Sequence, residues 1–156
     1  MIVPACQTAV CLLMAIAGTI QSGTAVPPVE DMPIYATAYN WEWGGLNCDE
    51  NCQVTAIGVE TSPELLGHTA ACPADWLGRI TTTVVTLPDG SEWWCIDTFG
   101  DEANRRPLLF DHPYYGLQWV IRMDFAVSDP LAFGYNQELL YGWSTEWREV
   151  SELKGE

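Results

Sequence analysis

Carboxylates dominate the chemistry this sequence can offer. Asp and Glu number 21 against 6 Lys and Arg, for a formal net charge of −15. Asp124 lies inside a strand-like run, Leu117–Val127, whose odd positions Leu117, Trp119, Ile121, Met123 and Phe125 are apolar. Period-2 alternation puts Asp124 on the opposite face, with Arg122 two residues before it. Asp97 closes the run that begins at Ser91, where it can cap a turn through Thr98. A carboxyl in such a place can donate and take up protons, or it can be a solvated strand residue paired with Arg122. Asp111 is a third carboxylate, set in a loop-like stretch. His68 and His112 are general-base residue types, but nothing pairs either with a nucleophile, so both read as surface-loop histidines. Arg105-Arg106, the adjacent basic pair, suits a carboxylate partner or plain solvation.

Cysteine supplies the second chemistry. Cys6 and Cys11 fall in an apolar N-terminal stretch, leaving Cys48, Cys52, Cys72 and Cys95 for the body of the chain. Four cysteines allow three pairings. A local Cys48–Cys52 bridge around Asp49-Glu50-Asn51, with Cys72–Cys95 stapling two strands, is the preferred reading. A four-sulfur zinc site is the rival, although neither pair has two-residue spacing. No metal or other cofactor is called for.

The elements that must position these groups are short strands. The 156 residues suffice for one domain, and 48% hydrophobic with 12% aromatic residues argues for a folded core. The acidic balance leaves no basic stripe for nucleic acid. Residues 1–29 carry no charge, and Val10–Ile20 has the length of a secretory apolar region. Residues 1–25 therefore read as a secretory signal or an N-terminal apolar anchor, and residues 26–33 as a Pro-rich acidic linker. Strands are predicted over 34–40, 54–59, 79–86, 91–96 and 117–127, with a last one near 147–153. Asp89-Gly90 predicts a hairpin. Residues 100–116 read as a long loop. Asp129-Pro130 has the N-cap and first-turn chemistry that predicts a helix running toward Leu140. Several short strands and one late helix suggest a small barrel.

Four fragments then occur in an informative order: Thr55-Ala56-Ile57-Gly58; Ala70-Ala71-Cys72-Pro73 with Leu77-Gly78; Cys95-Ile96-Asp97-Thr98; and Met123-Asp124-Phe125. With Tyr35-Ala36-Thr37-Ala38-Tyr39 before them and Asp129–Gly134 after, residues 34–153 resemble the three-aspartate (3D) domain. That family is similar to the barrel of membrane-bound lytic transglycosylase A and, more distantly, to rare lipoprotein A. The resemblance implies a mainly β fold, a six-stranded double-psi β-barrel with one short late helix, stapled by disulfides. The chain departs from the pattern where Cys72 holds the place of the first aspartate. It also inserts Asp101–Gly116 between the second and third.

Chemically, the resemblance implies cleavage of peptidoglycan glycan strands, with Asp124 as the acid/base and Asp97 as its neighbouring carboxylate. Trp93, Trp41 and Trp43 would stack on sugar rings, and Arg122 would assist in substrate binding. The expected setting is secreted or cell-envelope. The alternative is a non-catalytic module that binds peptidoglycan or another glycan. Such a module could instead take part in a homo-oligomer or assembly through the apolar N-terminus.

Overall fold

In a computed structural model of the protein, residues 26–43 and 53–155 are described. The N-terminal stretch and the Cys48–Cys52 loop lie outside them. The described residues form eight strands: β1 (Ile34–Tyr39), β2 (Thr69–Cys72), β3 (Thr81–Thr86), β4 (Glu92–Thr98), β5 (Leu108–His112), β6 (Gly116–Ala126), β7 (Leu139–Leu140) and β8 (Ser144–Glu149). A one-turn helix, α1 (Val150–Leu153), follows β8. The fold is thus mainly β with one short helix.

The strands pair in the order β7-β1-β6-β2-β4-β3-β8, and β5 pairs separately with β6. Two ladders are parallel, β1 with β6 and β2 with β4. This corrects the expectation of a closed six-stranded barrel: there are eight strands among the described residues, seven of them form an open path, and β7 and β8 share no ladder. Side chains bridge from one end of the path towards the other. The Trp143 indole donates to the Met32 carbonyl at 2.8 Å and packs against Trp76, whose own carbonyl accepts from Thr82.

Alternation builds the core. Ile34 and Ala36 on β1, Ala70 and Cys72 on β2, Trp93 and Cys95 on β4, and Ile121, Met123 and Phe125 on β6 project into one apolar cluster. The β4 residues Trp94 and Ile96 face the other way, under Ile57, Val59 and Val150. Cys72 and Cys95 form a disulfide with 5.6 Å between Cα atoms, linking β2 to β4 inside the core. The acidic linker ends by docking, since Met32 is buried with this cluster. The Asp89-Gly90 hairpin between β3 and β4 forms as predicted, with Gly90 at φ 84° and Asp89 accepting from the Ser91 amide.

The last strand lies at Ser144–Glu149, and Val150–Leu153, expected as strand, is helix α1, where Glu149 and Glu152 form a capping box. Three further local expectations fail for identifiable reasons. Residues 54–59 form no strand. Gly58, at φ 86°, turns the chain back, so that a single bridge joins Val54 to Glu60. The 100–116 stretch is not simply a loop, because β5 pairs with the start of β6 as a hairpin. No helix follows Asp129-Pro130. Asp129 Oδ1 does accept from the Leu131 and Ala132 amides. The chain then turns to place Phe133 and Tyr135 against the core, and Gln137 takes a left-handed φ of 67°.

The disulfide spans 23 residues of sequence, for which the chain-entropy model gives about 3 kcal/mol. A Cys72→Ser/Cys95→Ser double variant should unfold at a lower denaturant midpoint, with a slope as steep or steeper because the unbridged unfolded chain exposes more surface. An equal midpoint would show that the bridge adds nothing to stability.

Candidate functional site

Strand register assembles the site. Thr37 of β1 is opposite Asp124 of β6. Asp124 is also opposite Ala71 of β2, and Ala71 is opposite Asp97 of β4. A single row thus runs Thr37, Asp124, Ala71, Asp97 across four strands. Two strand spacings put the aspartate backbones roughly 10 Å apart. The Ala71 methyl is the only side chain between them in the row. Two carboxylates 27 positions apart in sequence are brought onto one face of the sheet.

Asp97 reaches that face through an irregularity. Strict alternation would place it with Trp93 and Cys95, inside the core. The β2–β4 register shifts between Ala70 and Ala71, however, so Ala70 is opposite Cys95 while Ala71 is opposite Asp97. One extra residue on β4 reverses the facing of the residues after it, as a β-bulge does. Asp97 Oδ1 accepts from the Ala56 amide at 3.0 Å and the Thr98 amide at 2.9 Å. It therefore also ties the 54–59 turn to the sheet.

Asp124 sits in a different environment. Its side chain is largely buried, and burial raises its pKa above the ordinary carboxylate value. The Thr37 hydroxyl and the Arg122 charge oppose that shift, while the charge of Asp97 adds to it. Burial wins because Arg122 forms no ion pair with Asp124. Its guanidinium lies 5.3 Å from the centroid of the Phe99 ring instead. Tyr39, at the end of β1, belongs to the same face. Its ring packs with Trp41, Ala71 and Ala126. Burial and the charges of Asp97 and Asp124 raise its pKa well above the ordinary phenol value. Three buried polar atoms on this face have no hydrogen-bond partner among the described residues: Tyr39 Oη, Arg122 Nε and Asp124 Oδ1. Buried polar atoms are rarely left this way, at a cost of about 1–3 kcal/mol each.

The remaining sequence candidates are scattered. Trp93 is 6% exposed, packed edge-on against Phe125 and Phe133 in the core, away from the aspartate face. Trp41 is buried edge-on against Tyr39, beside the row. The backbone of Trp43 belongs to the short turn Trp41–Trp43. Cys48 and Cys52 lie outside the described residues. Asp111 is exposed on β5, opposite Leu117, and His68 and Arg106 are exposed. His112 is a correction, because it is buried rather than on a surface loop. The Tyr114 amide donates to its Nδ1, which leaves Nε2–H to donate to the Gln137 carbonyl at 3.3 Å. Rings of Tyr35, Phe110, Tyr114 and Tyr115 surround it. It pins the β5–β6 hairpin. Among the described residues no group of His, Cys, Asp or Glu could hold a metal ion.

Sequence reasoning missed Thr37, Tyr39 and Phe99. The signal for the first two was alternation in the first strand, where Tyr35, Thr37 and Tyr39 share a face. Phe99 comes directly after Thr98, and nothing local marks it as the seat of Arg122.

Compared with protein-family models, curated proteins and solved structures, the chain matches none.

The raised pKa of Asp124 carries a stability consequence. The folded state holds this proton to higher pH than the unfolded chain does. Stability attributable to Asp124 is thus lost as pH rises from about 4 through the folded value. Asp124→Asn should melt at a higher temperature than the parent at pH 7, with the difference closing by pH 3. A variant that is less stable at pH 7 would mean that the carboxylate is favourably paired.

Proposed function

We propose that this protein acts on the bacterial cell wall outside the cytoplasm, cleaving peptidoglycan glycan strands by a lytic transglycosylase-type reaction. The observation that carries this reading is Asp124. It is a largely buried carboxyl of raised proton affinity, facing the same row as a second carboxylate, Asp97, across one small residue. A carboxyl whose proton affinity burial raises is better suited than an ordinary one to be the donor that glycosidic cleavage needs. The motif order over residues 34–153 supports kinship with the 3D domain and its double-psi barrel relatives. The disulfide is in keeping with an oxidising compartment.

In this reaction Asp124 gives its proton to the glycosidic oxygen as the bond to the anomeric carbon breaks. The C6 hydroxyl of the same muramic residue then attacks that carbon and loses its proton to the Asp124 carboxylate. The products are an anhydro sugar and a free chain end, no water is consumed, and the carboxyl returns protonated. Asp97 contributes its charge, which favours the protonated form of Asp124. Arg122 would bind substrate from the same face. Trp41 would act from beneath, by fixing Tyr39.

A second reading, a non-catalytic glycan-binding or assembly module on the same fold, has its own support. Asp97 Oδ1 is held by two backbone amides. Cys72, in the place of the family's first aspartate, is locked into the disulfide.

Incubation of the oxidised full chain with purified peptidoglycan should release anhydro-muropeptides detectable by mass spectrometry. Asp124→Asn should lower the rate by about 10²-fold or more, and Arg106→Ala should leave it unchanged. Sedimentation of the parent with peptidoglycan, without release of product, would favour the binding reading.

A further inference from the structure

Arg122 and Asp124 each bury an atom that has no hydrogen-bond partner among the described residues: Nε, a donor, and Oδ1, an acceptor. The two residues share one face of β6, about 7 Å apart along the strand. The arginine side chain is long enough to cover that rise, yet its head group lies elsewhere.

Strand direction explains where it goes. β2 runs parallel to β4 and antiparallel to β6, so β4 and β6 run in opposite directions. Phe99, two residues after Asp97, and Arg122, two residues before Asp124, therefore lie on the same side of the carboxylate row. The guanidinium takes the face of the Phe99 ring, 5.3 Å from its centroid.

The guanidinium thus has two seats, and the charge on Asp124 decides between them. A neutral carboxyl offers an ordinary hydrogen bond, against which the ring face competes. A buried carboxylate needs a cation beside it. Among the described residues Arg122 is the one cation whose charge acts on Asp124. The other groups that face Asp124 cannot supply positive charge. Asp97 on β4 is itself an acid, and Thr37 on β1 is a neutral hydroxyl. Tyr39 on β1 stays a neutral phenol, because burial and the charges of both aspartates oppose its ionisation.

We propose that Arg122 is a two-position switch, seated over the Phe99 ring while Asp124 carries its proton, and folded back so that Nε–H donates to Asp124 Oδ1 once that carboxyl ionises. Asp124 loses its proton to solvent, and no other group changes charge. The pairing offsets part of the cost of burying the carboxylate. Phe99 is then a positioning residue: by holding the guanidinium it keeps Asp124 a proton carrier. The switch goes beyond the cleavage reading and does not depend on it.

Nuclear magnetic resonance on the full chain reads both partners. The Asp124 carboxyl carbon gives the titration midpoint. The Arg122 δ-protons report the seat through the ring-current shift of Phe99. In the parent that shift should disappear with the same midpoint as the Asp124 titration. In Asp124→Asn, which cannot ionise, it should persist across the whole pH range. In Phe99→Leu the guanidinium loses its ring, and the proton affinity of Asp124 should fall about tenfold. An Arg122 shift that stays constant while Asp124 titrates overturns the proposal. So does an Arg122 transition that survives in Asp124→Asn, or a Phe99→Leu midpoint equal to the parent's. The first two measurements leave Phe99 in place, so they decide the matter even if Phe99→Leu does not fold. None of them involves a glycan, so a protein that releases no anhydro product can still show the switch.

Discussion

The placement of β2 between β4 and β6 is the constraint on which the rest depends. This strand is four residues long and fully buried. It runs parallel to one neighbour and antiparallel to the other. Ala71 is the position whose register pairs it with both aspartates. A slip of one residue in either ladder would turn the whole row to the opposite face. The disulfide holds this strand to β4 one position beyond Ala71. The covalent link and the register shift thus act on the same pair of strands, and the carboxylate row results from their combined geometry. The role of small residues here is steric. A larger side chain at position 71 would fill the space between the two carboxyls and displace the Tyr39 ring.

Electrostatics then separates two chemically identical side chains. Asp97 is tethered by amides at the end of a strand, where it anchors a turn. Asp124 is enclosed, with its nearest cation drawn away onto an aromatic ring. That cation–π contact matters as much as the burial. A guanidinium turned toward the carboxylate would have stabilised its ionised form and removed the one property that distinguishes it. The acidity of the site is therefore set in part by Phe99, a residue without titratable chemistry.

Sequence and structure agree where the pattern is local and regular. Asp124 faces away from the apolar row of β6, as alternation alone indicates, and Asp89-Gly90 makes its hairpin. The Cys72–Cys95 pairing, preferred on cysteine arithmetic, holds. Agreement ends where an irregularity intervenes. The facing of Asp97 depends on a single unpaired residue in β4, which no periodicity can reveal. Asp129-Pro130 carries helix-start chemistry, but turns use the same residue types, and the burial of Phe133 and Tyr135 decided between them. β5 was hidden in a stretch rich in Pro, Gly and charge because its ladder is short and its stabilising partners are aromatic rings from elsewhere. Strand number and ladder closure depend on long-range pairing, which local sequence does not encode.

Among the described residues the open path of strands has two free ends, and the free end of a sheet invites another chain to add on. One end is β7, only two residues long, too short to template a neighbour. The other is β8, six residues with Glu146, Arg148 and Glu149 along it, and an exposed Trp147 among them. Arg148 is drawn back over the sheet to Glu92 and Glu146. With a net charge of −15, two copies approaching rim to rim would repel before their backbones could meet. Like charges along β8 thus disfavour edge-to-edge addition of a second copy at that rim.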